Sequence, residues 1–402
     1  MVAGYHRASA GRVGAYLFTG ELGHAGASTT NWLDLFFPCT LTSNDAISSL
    51  VLIWPSIETR AQQAVVEWER TMELYELTKT LVNLESVTGH EQACAEFLGD
   101  YLGREGFEVE LQPVAPDRCN VLALRGKPEV VLSTHLDTVP PFMPAREDEE
   151  FIYGRGACDA KGILASQVMA GRQLIREGVN DFGLLFLVGE ETFSDGAVAA
   201  NQSPRGSRYI INGEPTENKL AIGTKGVLLV EIRAAGKMAH SAYPHLGESA
   251  IEKLLDLLED LRRLPLPLDP VLGPTTLNIG LISGGRAANI VPDQAEAKVM
   301  IRTVRNAQEL RQRVETLLEG RCEYQVARDT PALLLERLEG FEADVFAYTT
   351  DLPSLPRWGR PLLLGPGSIT EAHTDHECVR KADLTRAVEL YCRLVRQLKS
   401  SG

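Results

Sequence analysis

The chain has 402 residues, 44% of them hydrophobic and 23% charged, with a formal net charge of -14. That is enough apolar material to build packed cores in two domains or three, which excludes a disordered protein. The acidic balance, with no basic patch or basic helix, argues against a nucleic-acid partner.

No apolar stretch approaches the roughly 20 residues of a membrane span, so no membrane role is expected. The N-terminus lacks the basic-then-apolar pattern of a secretion signal. Cys39, Cys94, Cys119, Cys158, Cys322, Cys378 and Cys392 are scattered, odd in number and never spaced CxxC. They point to a reducing, cytoplasmic setting without a disulfide framework.

Residues 1–71, with the stretch GYHRASAGRVGAYLFTGELGHAGASTTNWLDLFFPCTLTSND, carry neither a strand nor a helix period. They are expected to form an irregular or disordered extension, with the folded chain starting at Met72. A helix is predicted over ELYELTKTLVNLES. A second lies in SVTGHEQACAEFLGDYLGREG, opened by Thr88 and Glu91 at capping-box spacing and closed at Gly106. NVLALRG and EVVLSTH read as strands, AKGILASQVMAGRQLIREG as a helix, and FGLLFLVGEE and SRYIINGEP as strands. Apolar strands alternating with amphipathic helices over 72–224 predict an α/β domain, its mostly parallel sheet covered on both faces.

The rhythm changes near Thr224. Strand GVLLVEIRAAG, helix ESAIEKLLDLLEDLRRL, strands TTLNIGLISGG and QAEAKVMIRTV, helix NAQELRQRVETLLEG and strand CEYQVARD follow in turn. This βαββαβ order predicts an inserted ferredoxin-like α+β domain over 225–330. RPLLLGPG and the helix DLTRAVELYCRLVRQLKS, with Asp383 as its expected N-cap, return to the first domain over 331–402.

Acids and imidazoles gather at the ends of the apolar runs. They are His135 in STHLDTV, Asp159 in GRGACDAKG, Glu190 and Glu191 in LVGEET, Glu214 in NGEPT and His373 in GPGSITEAHTDHE. Strand ends in an α/β sheet converge on one crevice, and imidazoles with carboxylates suit zinc or a similar divalent ion. Asp159 sits in a tight turn where it is suited to bridge two metals about 3.5–4 Å apart; taken alone, it reads equally as a helix cap. Asp137, two residues beyond His135, is placed to hold that imidazole's second N–H. On extended backbone Glu190 and Glu191 point in different directions, leaving one for metal and one for a substrate water. Gly365 and Gly367 are expected to let backbone approach a ligand.

The order HxD, GRGxxDxKG, GEE, GEP and GPG…AH, with GKMAHSAYPHLGESA and ANIVPD in the insert, resembles the dinuclear zinc amidohydrolases. That family includes acetylornithine deacetylase, acetyl-lysine deacetylase, succinyl-diaminopimelate desuccinylase and aminoacylase. The resemblance runs from about Met72 to the C-terminus. It implies two divalent ions, zinc with cobalt as a substitute. His135, Asp159 and Glu214 would hold one, and Asp159, Glu191 and His373 the other. It further implies that Asp137 orients His135, that Glu190 is the general base, and that the Asp159–Ala160 peptide bond is cis. His240 would reach the reaction oxyanion from the partner subunit of a homodimer built through the insert. Asn289 and Arg302 would contact the substrate carboxylate.

The implied reaction is hydrolysis of an N-acyl amino acid. GEPT and SITEAH look most like the deacetylases of N-acetylornithine or N-acetyl-lysine in amino-acid biosynthesis. A desuccinylase, dipeptidase or carboxypeptidase with the same chemistry is the alternative. A non-catalytic binder of amino-acid conjugates is a further one, but it predicts loss of the base or of a ligand, and all of these residues are present.

Overall fold

The computed structural model describes residues 70–400 apart from Asn306. The expected irregular extension 1–71 lies outside them except for Arg70 and Thr71, which are already helical. In chain order the main elements begin with α1 (70–83), α2 (Gln92–Arg104), β1 (Glu108–Ala115), β2 (Arg118–Arg125), β3 (Val130–His135), α3 (Lys161–Arg176) and β4 (Phe182–Leu187). The short helix α4 (Asp195–Ala200), β5 (Tyr209–Asn212) and β6 (Leu220–Thr224) follow. The insert comprises β7 (Gly226–Ala235), α5 (Ala250–Arg263), β8 (Thr276–Gly284), β9 (Gln294–Thr303), α6 (Ala307–Leu318) and β10 (Glu323–Thr330). β11 (Arg360–Leu363) and α7 (Lys381–Ser400) close the chain.

The catalytic sheet runs β1-β2-β4-β3-β5-β11. Its β4-β3-β5-β11 half is parallel, while β1 and β2 form an antiparallel flank. Period-two alternation splits its side chains between two cores. Val130, Leu132, Leu184, Phe186 and Ile211 pack under the helices, whereas Val131, Leu185, Leu187 and Ile210 pack on the opposite face around Trp358. β1 escapes the sequence reading because only Gln112 of its residues is buried and Pro113 interrupts it.

The insert sheet runs β8-β9-β7-β10 and is antiparallel throughout. α5 and α6 cover one face, burying Leu228, Val230 and Ile232 of β7 against Leu254, Leu258 and Val314. The other face carries Leu229, Glu231 and Arg233. This is the predicted ferredoxin-like order.

Two expected caps are not formed. Thr88 donates its hydroxyl to Asp137 (2.7 Å), and the carboxylate of Glu91 is taken by Arg118 at 2.8 Å and by the amide of Gly89. Both side chains of the capping box are thus engaged elsewhere. α7 begins at Lys381, whose amide donates to Glu150, so Asp383 lies inside the first turn. There it faces the positive end of the helix without capping it.

Candidate active site

Parallel strands end on one edge of a sheet, and that edge assembles the site. β3 ends in His135, β4 runs into Glu190 and Glu191, β5 into Glu214, and β11 into the loop carrying His373. Asp159 stands just before α3. Its Oδ1 lies 2.9 Å from Nε2 of His135, and its Oδ2 lies 3.6 Å from Nε2 of His373. One carboxylate therefore faces an imidazole with each oxygen. Nε2 of His373 also lies 3.0 Å from Glu191.

Ligand atoms of His135, Asp159 and Glu191 all fall within 4.8 Å of one another. Glu214 is 4% exposed, and its Oε1 is buried without a hydrogen-bond partner. A buried carboxylate oxygen left unpaired is costly unless a cation completes it. Imidazole nitrogen and carboxylate oxygen are the donor set of zinc-type ions. The residues fit a metal centre.

The electrostatics agree. Burial pushes the carboxyls of Glu190 and Glu214 well above the usual range, and each raises the other or is raised by neighbouring acids. Burial also raises Glu191, opposed by its hydrogen bond to His373, which in turn lifts that imidazole. Burial disfavours a charge on His135, but Asp137 and Asp159 outweigh it and raise the imidazole well above its ordinary value. Acids so crowded repel one another, and a divalent cation reverses that balance.

Asp137 meets His135 mainly through its backbone. Its backbone carbonyl makes the short contact to Nδ1 (2.9 Å), while its carboxylate lies 3.5 Å away. That carboxylate accepts the amides of Glu190 (3.1 Å) and Glu191 (3.2 Å), fixing the loop that presents both acids. The Asp159–Ala160 peptide bond is cis, as the resemblance implies. Gly365 admits protein backbone: a Cβ there would stand 2.4 Å from the carbonyl of Glu214.

Sequence reasoning missed two carboxylates. Oε1 of Glu377 accepts the amides of Gly156 (2.9 Å), Cys158 (3.0 Å) and Asp159 (3.0 Å), while its Oε2 pairs with buried Arg155 at 2.6 Å. It shapes the turn that holds Asp159. The pairing of strand Phe151–Tyr153 with Cys378–Arg380 brings the two segments together. Asp351 is fully buried, and burial pushes its carboxyl up to about 7 against the opposing hydroxyl of Ser194.

The three insert residues divide. Arg302 is half-buried and feels the charge of Glu190, so it belongs to the cleft. His240 and Asn289 are exposed on adjoining loops, joined by the bond from the amide of Ser241 to the carbonyl of Asn289. Among the described residues, neither touches the acid cluster.

Residues 222–328 match the M20 peptidase dimerisation domain. The chain is 41% identical over 335 residues to a peptidase M20 domain-containing protein of Schizosaccharomyces pombe, covering 80% of this chain and 84% of that protein. It is 37% identical over 368 residues to a probable carboxypeptidase of Aspergillus clavatus, covering 79% and 80%. A tripeptidase of Staphylococcus aureus superposes with a TM-score of 0.70 at 21% identity, covering 81% of this chain and 99% of that one. A metallo-carboxypeptidase of Sulfolobus solfataricus does so with 0.67 at 17%, with the same coverage. At those identities the two structures speak for the fold alone: an α/β catalytic domain carrying an inserted dimerisation domain.

Proposed function

The chain belongs to the peptidase M20 family, hydrolases acting on amide bonds, and from that premise we propose that it is a metal-dependent exopeptidase of the carboxypeptidase or dipeptidase kind. The observation that carries the reading is Arg302, half-buried and in register with Val227 on the sheet face away from the helices, whose guanidinium makes no ion pair or hydrogen bond among the described residues. It is suited to take the free carboxylate of a substrate whose neighbouring amide lies over the acid cluster. The name of the Aspergillus clavatus relative, a probable carboxypeptidase, supports the same choice.

His135, Asp159 and Glu214 would hold one divalent ion, and Asp159, Glu191 and His373 a second, zinc or cobalt. When bound, such a pair polarises the scissile carbonyl and lowers the pKa of water. Glu190 accepts the proton of the attacking water as its oxygen joins the carbonyl carbon. It then gives that proton to the leaving amine as the C–N bond breaks. Asp137 keeps Glu190 in place through its amide. His240, reaching across a homodimer formed through the insert, would donate to the carbonyl oxygen as negative charge builds there. Asn289, on the adjoining loop, would bind the substrate with it.

Deacetylation of N-acetylornithine or N-acetyl-lysine in amino-acid biosynthesis uses the same groups, and the GEPT and SITEAH segments favour it. We place the protein in the cytoplasm, a reading supported by six free cysteines among the described residues. No helix of the described residues is long and apolar enough to cross a membrane.

A panel of dipeptides, N-acetylornithine, N-acetyl-lysine and N-succinyl-diaminopimelate decides among these, assayed with added zinc or cobalt. Dipeptide turnover that collapses in Glu190→Ala is the expected result. Turnover confined to the acetyl amino acids would replace the peptidase reading with the deacetylase one.

A further inference from the structure

Of the ten arginines between residues 226 and 330, eight are ion-paired, Arg286 with Asp293 and Arg305 with Asp269 among them. Among the described residues, the two without a carboxylate at ion-pair distance are Arg302 and Arg328. They stand on the strands flanking β7: Arg302 is in register with Val227 and Arg328 with Leu229. Both therefore project from the sheet face opposite α5 and α6.

That placement depends on an irregularity. The β10 register shifts between Val326, which pairs with Val230, and Arg328. Without the extra residue, Ala327, strand alternation would turn Arg328 toward the helices beside Val326. The bulge re-aims it to the face that carries Arg302.

Arg328 is also held from two sides. Its Nη1 donates to the carbonyl of Thr192 (3.1 Å), next to Glu191, and its Nε to the hydroxyl of Thr330 (3.3 Å). Among the described residues, two of its five N–H groups are used and three have no acceptor. Arg328 is close enough to Arg302 to add to burial in disfavouring that guanidinium's charge. Glu190 acts on Arg302 and Arg328 on Asp351 through their charges, but neither carboxylate lies at ion-pair distance among the described residues, so both guanidiniums keep N–H donors for a bound anion.

We infer that Arg328 is a specificity residue for an acidic C-terminal residue: Arg302 takes the substrate's α-carboxylate and Arg328 its side-chain carboxylate. The substrate class is then a dipeptide or acyl amino acid ending in glutamate or aspartate. This rests on the exopeptidase reading, which supplies the α-carboxylate at Arg302.

The test compares Ala-Glu with Ala-Gln, which differ by one charge at nearly equal shape. The metal-loaded wild type should favour Ala-Glu in kcat/KM by about tenfold to a hundredfold. In Arg328→Gln the ratio should fall toward one, chiefly through a raised KM for Ala-Glu, while Arg328→Lys retains part of the preference. Calorimetric binding of N-acetylglutamate against N-acetylglutamine, on the same three proteins, reads the site without turnover. A wild-type ratio near one in both measurements overturns the inference. So does a preference that survives in Arg328→Gln. If neither dipeptide turns over but the binding preference is present and lost in Arg328→Gln, the exopeptidase reading fails and the anion site stands. Should Arg328→Gln not fold, the wild-type ratio and Arg328→Lys still decide.

Discussion

In the insert, charges meet in exposed pairs such as Arg262 with Glu259, 3.2 Å apart with both side chains largely in solvent. At the carboxyl edge of the catalytic sheet, Glu190, Glu214 and Asp351 crowd together with raised carboxyls, and Glu214 presents a buried oxygen to no hydrogen-bond donor among the described residues. The first arrangement is what a surface does with charge and contributes little to stability. The second is unfavourable in itself and persists because the surrounding sheet and loops hold it. Such a cluster makes physical sense as a place where cations and substrate complete the balance.

The sharpest break in this comparison comes from changes at the acid edge. Glu190→Gln keeps the shape of the side chain and removes the proton acceptor. Activity should fall by about 10²–10⁴-fold with metal content unchanged; rate and metal stoichiometry measured on one sample test both. A loss of metal with the rate would make Glu190 a ligand. Glu377→Ala should cost metal affinity about 10–100-fold, since the turn holding Asp159 loses the acceptor of three amides. It should also destabilise the fold by roughly 3–5 kcal/mol, because Arg155 is left buried and unpaired. Metal titration and denaturant unfolding read the two effects separately. Unchanged affinity in a weakened fold would confine Glu377 to stability.

What was legible follows the same division. His135, Asp159, Glu190, Glu191, Glu214 and His373 each stand at or just past an apolar run or a helix start, so short-range pattern located them. Glu377 reads in HTDHE as one more surface acid, and its role depends on a strand pairing between residues more than two hundred apart. Asp351, in TTDLP, reads as a turn residue; only the tertiary fold buries it. Arg328 shows where period-two reasoning misleads. Alternation through CEYQVARD puts it on the face of Val326, and the bulge reverses that. The expected capping box at Thr88 and Glu91 failed because local signals do not reveal competing partners such as Asp137 and Arg118, and the cap at Asp383 failed because the helix already starts at Lys381.

Asp351 gives a smaller, pH-dependent effect. Its folded carboxyl stands at about 7, against roughly 3.9 for a free aspartate. A raised acid leaves stability intact below the unfolded value and erodes it as pH rises through the folded one. Metal-free protein should therefore melt lower at pH 8 than at pH 5. Asp351→Asn should recover most at pH 8 and about a third as much at pH 5, where the unfolded carboxyl is already largely ionised. Melting curves after chelation test this, and a loss at both pH values would mean that Asp351 is held by a partner worth keeping.

Glu259→Ala should do least. Glu259 pairs with Arg262 and with Arg263 on the outer surface of α5, and exposed pairs three or four residues apart on a helix contribute only about 0.3–0.5 kcal/mol each. Denaturation should shift by less than about 1 kcal/mol, and raising the salt should shrink the difference further. A larger, salt-insensitive cost would show that this face of α5 is covered in the working assembly, and the contrast between an open, tolerant insert and a buried, strained acid edge would then hold only for the isolated protomer.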